Sequence, residues 1–391
     1  SNQMSFSSLE KRATTVVSLI LSLRLLGLFM LLPIFSIYAI EYKDSSAFLA
    51  GLAIGIYALA QAIMQSPLAY LSYKFGRKII IISGLVLFTV GSLTCYIAED
   101  IMSLILGRVI QGCGAISSVG VATLSENTSP RNRASAFTIV GLSVGVSFVI
   151  GFLVGPIISS MFNFKILFLL LFIFGLLAII TTSIYYPKDN NKIVESKMEF
   201  KLNKNLIKIY SSSFMLSLVL SIFLFTYPLM WKTLKLDQIN LSYVYLVIFL
   251  PAAILIYPMI RHLEKIDKIN FAIKAGWFFL LIGFLSFISL IFNEFSLYLL
   301  GILFFLGSTI FQSVLPSLLS LHVSDTMRAT GTGPFYVMSF LGHAIGSMFA
   351  GLIYSHSSYF NLPNYSVLIL VSLLILIIWI LIGMPKYALK K

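Results

Sequence analysis

The chain has 391 residues, 59% of them hydrophobic, 14% aromatic and only 10% charged, with a formal net charge of +13. A soluble domain carries about 25% charged residues, so this composition excludes an ordinary soluble globular protein and marks an integral membrane protein. The two cysteines and four scattered histidines show no H-x-x-x-H or D-x-x-D spacing, which leaves no metal centre, no cofactor motif and no clustered acid-base groups of a membrane enzyme.

A helix crosses a hydrocarbon core of roughly 30 Å with about 20 apolar residues. Runs of that length recur near 14–40, 46–72, 78–98, 101–124, 134–160, 164–186, 210–233, 240–262, 269–291, 295–321, 329–355 and 363–384. The expected fold is all-α, with twelve transmembrane helices. A β-barrel would alternate apolar and polar residues in segments of about ten; runs such as KILFLLLFIFGLLAIITTSIYY (165–186) do not.

In helix 1, LILSLRLLGLFMLLP (19–33) places Arg24 in an apolar run that ends on Pro33; in helix 4, ILGRVIQGCGA (105–115) does the same with Arg108. Arg24 lies about 15 Å from the start of its helix, and Arg108 about 10 Å from the start of its own. None of the 14 Asp and Glu residues lies mid-run, so neither arginine has an evident carboxylate partner. A lipid-facing charge at a helix centre costs at least about 2.5–3.5 kcal/mol, and both guanidiniums are expected to face a water-filled cavity or polar neighbours. Two roles stay open: bracing helix contacts through carbonyls and Gln61 or Gln65, or binding an anionic group and tuning proton release.

Both termini and the loops after the even-numbered helices hold 20 of the 27 Lys and Arg residues. The positive-inside rule assigns that side to the cytoplasm. The net charge is thus a topology signal, and its spread over short loops excludes a nucleic-acid partner. Near the midpoint, YPKDNNKIVESKMEFKLNKNLIKIY (186–210) reads as a linker, so the domains are expected at 1–186 and 210–391 with a connector at 187–209. The connector is either solvated or lies partly on the membrane surface. The halves are weakly alike: an offset of 195 aligns Pro33 with Pro228, Gly112 with Gly307, Arg133 with Arg328 and Gly151 with Gly346. Such pairs at equivalent points of two six-helix units fit a duplicated transporter.

The loop SPLAYLSYKFGRKIII (66–81) joins helices 2 and 3. It resembles the cytoplasmic signature G-x-L-x-D-R-x-G-R-K of the major facilitator superfamily, with Lys74, Gly76, Arg77 and Lys78 at its basic and glycine positions, but Tyr73 where its Asp stands. Gly76 allows a tight turn. Arg108, Gln111, Gly112, Gly114 and Ala115 resemble the helix-4 motif R-x-x-Q-G-x-G-A, and Gly151, Gly155 and Pro156 resemble the helix-5 antiporter motif G-x-x-x-G-P. Together these stretches are similar to the YajR-like branch of the drug:proton antiporter family, most densely over 20–160, with the likeness ending soon after helix 12.

The resemblance implies two pseudo-symmetric six-helix halves rocking about a central site between helices 1, 4, 7 and 10. It implies a cytoplasmic latch of Lys74, Gly76, Arg77, Lys78, Glu126 and Arg133, with Arg77 meeting Glu126, and a glycine face of helix 5 packed on the other half. Residues expected at the substrate cavity are Arg24, Arg108, Gln61, Gln65, Gln111, Phe29, Tyr57, Tyr227, Trp231, Phe311 and Gln312. With no acid in TIFQSVLPS of helix 10, His343 is the titratable group nearest mid-membrane, as a coupling site or a neutral packing residue. The expected function is proton-coupled efflux of small amphipathic molecules by a monomer in the bacterial inner membrane. An organic-anion or polycarboxylate carrier using Arg24 and Arg108 is the alternative, and a channel or sensor remains open.

Overall fold

The computed structural model describes residues 5–129, 132–187, 202–234, 240–289, 291–323, 328–356 and 362–387. Within these, fourteen helical segments make twelve helices long and apolar enough to span a membrane. The first half holds α1 (Ser8–Leu31), α2 (Phe35–Ala39), α3 (Ala47–Phe75), α4 (Arg77–Ile97), α5 (Ile101–Cys113), α6 (Ser117–Glu126), α7 (Arg133–Met161) and α8 (Lys165–Tyr185). The second holds α9 (Lys204–Thr233), α10 (Leu241–Lys265), α11 (Ile269–Ser289), α12 (Glu294–His322), α13 (Arg328–His356) and α14 (Asn364–Ile382). The side carrying the described chain ends and the α3–α4 turn is called here the basic face.

Local chemistry sets the helix ends. Ser7 and Glu10 form a capping box at the start of α1, and Asn203 and Asn293 cap α9 and α12. The first apolar run is not one helix to residue 40: α1 stops at Leu31, and the chain restarts as α2 beyond Pro33, which has no N–H to continue the ladder. Helix 4 is likewise broken, into α5 and α6, at Gly114–Ile116. The expected connector at 187–209 overruns its end, because α9 already begins at Lys204; residues 188–201 lie outside the described residues.

The 195-residue repeat is visible as packing. A Cβ added at Gly151 on α7 would lie 2.9 Å from the Leu26 carbonyl oxygen on α1, and one at Gly346 on α13 would lie 3.2 Å from Ser221 Cβ on α9. Both members of each contact are displaced by the same 195 positions. In each half the fifth span therefore seats on the first.

The halves meet away from the basic face. Ser36 Oγ donates to Phe225 O at 2.7 Å, the Tyr245 hydroxyl donates to Pro33 O at 2.6 Å, and Phe48 N–H donates to Ser355 Oγ at 3.1 Å. Lys232 and Glu41 pair at 2.9 Å, but both are largely exposed and the pair contributes little. Gly51 on α3 and Gly351 on α13 bring those helices together, a Cβ on Gly51 falling 3.0 Å from Gly351 Cα. Toward the basic face the packing around three glycines is open: a Cβ at Gly141, Gly145 or Gly333 meets nothing within 4 Å.

Candidate functional site

The two membrane arginines lie within the first half. Arg108 is 1% exposed and does not line a cavity. Its Nε donates to Ala53 O at 3.1 Å, Nη1 to Gln111 Oε1 at 2.8 Å and Nη2 to Ile54 O at 3.5 Å. The guanidinium also lies 4.4 Å from the Tyr57 ring centroid and 5.0 Å from that of Phe35. Second lone pairs of two α3 carbonyls, an amide and two ring faces supply what a carboxylate would have supplied, so Arg108 ties α5 to α3.

Arg24 is 5% exposed. It donates to Gly114 O, a carbonyl freed where helix 4 breaks, and to the Tyr57 hydroxyl at 3.4 Å, and it lies 5.4 Å from the Phe88 ring. Tyr57 thus touches one arginine through its hydroxyl and the other through its face. The ladder continues along α3: Gln61 Nε2 donates to Tyr57, Gln65 Nε2 donates to Gln61 Oε1, and Ser118 at the head of α6 donates to Gln65 Oε1 at 2.8 Å. Gln111 closes a branch by donating to Ser92 Oγ at 3.0 Å. Gln61, Gln65 and Gln111 are buried in this network, a correction to their expected place on a cavity wall. A broken transmembrane helix is tolerated where such side chains satisfy its backbone.

The expected aromatic wall in the second half is also internal. Tyr227 is fully buried and donates to Leu297 O at 2.7 Å; Trp231 packs on Tyr298 and Phe311 on Trp379. These three fill the bundle interior, where large apolar side chains bury most area.

A different aromatic group stands between the halves. Phe152 of α7 lies 5.3 Å from Tyr245, 5.8 Å from Phe249 and 5.3 Å from Phe305, and Phe148 lies 5.6 Å from Phe249. Phe29 on α1 joins at 4.4 Å from Phe148. This cluster from α1, α7, α10 and α12, called here the aromatic roof, joins the two halves. One turn below Phe305 on the same stripe of α12 comes Thr309, and two turns below come Gln312 and Ser313, all half-buried. On α1, Ser22 and Ser18 follow the stripe of Phe29. His343 is half-buried on the face of α13 between the stripe that meets α9 through Gly342 and the one that meets α3 through Ala344. Phe29, Gln312 and His343 are thus half-buried, neither sealed in the bundle interior nor fully exposed. The roof partners were not singled out from sequence, because 33 phenylalanines spread over all helices give no signal of which will meet.

The glycine face of helix 5 packs differently from expectation. A Cβ at Gly155 would lie 2.7 Å from Met30 Cα, so Gly151 and Gly155 admit the backbone of α1 in the same half. Pro156 sits inside α7 beside them. The other half is met by the neighbouring stripe, which carries Phe148 and Phe152.

At the basic face, Gly76 takes φ 106° and turns α3 into α4. Arg77 grips Glu126 at the end of α6 with two bonds, at 2.6 and 3.3 Å, and donates to Ser72 Oγ at 2.6 Å. Lys78 reaches Ser183 O, Lys74 lies over Phe75, and Arg133 donates to Ser125 O and Thr128 O. These recorded contacts stay inside the first half, so in this conformation the latch braces one half instead of joining two. Glu10 adds a brace missed from sequence: its carboxylate is buried and accepts from Ser129 N–H and Asn132 Nδ2 at 3.1 Å each. Arg77→Ala and Glu126→Gln should each lower the melting temperature of purified protein by a few degrees. Their coupling in a double-mutant cycle should be about 1 kcal/mol or less, since both side chains keep contact with solvent. Strictly additive effects would show that the pair does not act as one.

Among the described residues no group of three His, Cys, Asp or Glu side chains is placed to hold a metal. The family model described as Major Facilitator Superfamily matches residues 17–256. An uncharacterized transporter of Buchnera aphidicola subsp. Baizongia pistaciae is 31% identical over 373 residues, covering 92% of this chain and 94% of that protein. The inner membrane transport protein YajR of Escherichia coli K12 is 30% identical, covering 88% of this chain and 78% of that protein. Among solved structures, the human organic anion transporter MFSD10 (TETRAN) superposes with a TM-score of 0.67 at 16% identity, covering 94% of this chain and 99% of that one. A bacterial homolog of the human lysosomal transporter Spinster, inward-facing and occupied, gives 0.69 at 16% identity over 97% of both chains. Those two likenesses carry the fold alone. With twelve spans, a duplicated six-helix plan and matches of this extent, the chain belongs to the Major Facilitator Superfamily and is a multi-pass membrane transporter, not an enzyme.

Proposed function

We propose that this transporter exports small amphipathic molecules by proton-coupled alternating access, with the basic face in the cytoplasm, and that it takes neutral or anionic molecules in preference to cations. One observation carries the reading: beneath the aromatic roof the half-buried polar residues Ser18, Ser22, Thr309, Gln312 and His343 include no carboxylate. The hydroxyl oxygens of Ser18, Ser22 and Thr309 are buried without a protein hydrogen-bond partner, so a conformation that opens this space would free them for a ligand or water. Large apolar faces with a few polar groups suit varied amphipathic substrates. A lipophilic cation entering this space would find no counter-charge, and the Arg24 charge on another face of α1 would oppose it through surroundings of low dielectric.

The charge of Arg24, faced by hydroxyl, carbonyl and ring but no acid, also favours the narrower reading of an organic-anion carrier. Arg108 is removed from that reading because its donors are spent on protein. Support for a drug-exporter reading includes a multidrug resistance protein B homolog of Mycobacterium tuberculosis, 27% identical over 39% of this chain.

Inverted membrane vesicles and whole cells, each given an anionic dye and ethidium, test the proposal. Uptake of the anionic dye into inverted vesicles should be driven by a proton gradient and abolished by an uncoupler. Arg24→Gln should reduce anionic dye transport at least tenfold, and His343→Gln should leave residual transport insensitive to the gradient. Accumulation in whole cells alone would make the protein an importer; ethidium export with no competition by anions would overturn the charge preference.

A further inference from the structure

On the basic face of the second half, the chain leaving α14 is held in an extended form by side chains that act as a strand's neighbours. Gly383 takes φ 110°, a conformation open to glycine, and turns the chain off the helix beside Lys208. Three residues on, Asn205 Nδ2 donates to Lys386 O at 2.8 Å while Lys386 N–H donates to Asn205 Oδ1 at 2.9 Å. The next residue repeats the pattern on the other side: Asn270 Nδ2 donates to Tyr387 O at 3.3 Å and Tyr387 N–H donates to Asn270 Oδ1 at 2.8 Å. In extended chain, successive N–H and C=O pairs point to opposite sides. A dipeptide is thereby threaded between Asn205 in the first turn of α9 and Asn270 in the first turn of α11.

The recognition is of main chain. Both amides use their one acceptor and one donor on the same residue's backbone, and the Lys386 side chain is exposed. Asn205 spends its second amide hydrogen toward His322 Nε2, 2.8 Å away at the end of α12, and His322 Nδ1 lies 2.9 Å from Leu318 O. A tautomer protonated on Nδ1 satisfies both bonds. Tyr387 in turn lines a cavity of about 250 Å³ together with Val314 and Leu318 of α12 and Glu264 at the end of α10.

We propose that Asn205 and Asn270 form a peptide slot that reads backbone groups, and that its occupant is the chain's own segment 383–387, which straps the basic-face ends of α9, α11, α12 and α14 into one body. The partner it fits is an extended segment with free N–H groups at two adjacent positions. The slot keeps four helix ends together while the second half rocks as a unit.

The test uses full-length protein with Cys95→Ser, Cys113→Ser and a reporter, Val314→Cys, buried at the cavity that Tyr387 lines. Lys386→Pro removes one slot-facing N–H, Lys386→Ala removes only an exposed side chain, and Asn205→Ala with Asn270→Ala removes the slot. Thiol labelling of the reporter should rise at least fivefold in the proline and double-alanine variants and stay at the parent rate in Lys386→Ala. At millimolar concentration, the capped peptide Gly-Met-Pro-Lys-Tyr should slow labelling of the proline variant and have no effect on the double-alanine variant. Parent-like labelling in both disrupted variants would overturn the strap. Equal labelling of Lys386→Ala and Lys386→Pro would overturn backbone reading.

Discussion

Arg108→Gln is expected to destabilise the fold by about 3–5 kcal/mol, on the scale of removing one member of a buried charged contact, and to do so whatever the charge of the substrate. The shorter side chain cannot reach the Ala53 and Ile54 carbonyls, and it leaves Gln111 Oε1 without its donor. Each buried polar group left unmatched costs about 1–3 kcal/mol. The Tyr57 and Phe35 rings lose the cation between them as well. Thermal melting of detergent-purified protein measures the loss, and anion and cation transport should fall in proportion to the folded protein recovered. A variant that melts like wild type but has lost anion transport alone would return Arg108 to the substrate site. The contrast with Arg24→Gln is the informative part. That side chain holds one helix-break carbonyl and one hydroxyl, so the effect of its loss should appear chiefly in charge selectivity.

The contrast also marks how far sequence could be read. That both arginines needed polar neighbours followed from depth alone, and the absence of mid-run acids was visible. Which of them would be sealed was not, because the acceptors for Arg108 are backbone carbonyls of α3, and every residue has one. Glycines were legible as close contacts but not as to partner: Gly151 and Gly155 admit α1 of their own half, while the stripe beside them meets the other half. The Arg77–Glu126 pair followed from the family resemblance of the loop that carries Arg77, and the Gly76 turn was readable because a forced backbone conformation leaves few alternatives. The twelve spans were readable for the same reason, since length and apolarity leave little else. The aromatic roof and the Asn205–Asn270 slot were not. Phenylalanine is everywhere in this chain, and an asparagine that reads main chain looks like any surface asparagine.

Gly145→Trp is expected to abolish transport while leaving stability close to that of wild type, by holding the protein open toward the basic face. Gly141 and Gly145 lie on the same stripe of α7 as Phe148 and Phe152, since steps of three, four and seven residues return to one helix face. At the Phe148 and Phe152 level that stripe is filled by Tyr245, Phe249 and Phe305; at the glycines a Cβ would meet nothing within 4 Å. Counting along the antiparallel pair from Phe148 opposite Phe249, Gly145 stands level with Ala252 and Gly141 with Ile256. If the halves rock so that the roof parts and the basic face closes, α7 and α10 must approach at this level, and two bare glycines leave room for it. An indole at Gly145 fills that room. It enters open space in the present conformation, and replacing glycine by tryptophan inside a helix lowers the propensity cost by about 0.5 kcal/mol, so melting should not drop. The measurement is paired: transport in vesicles, and labelling of a Phe305→Cys reporter from the side opposite the basic face. Transport should fall at least tenfold, and labelling that accompanies roof opening in the Gly145 protein should disappear. Wild-type transport by the tryptophan variant would mean that α7 and α10 never close there, and that the exchange of access uses another surface.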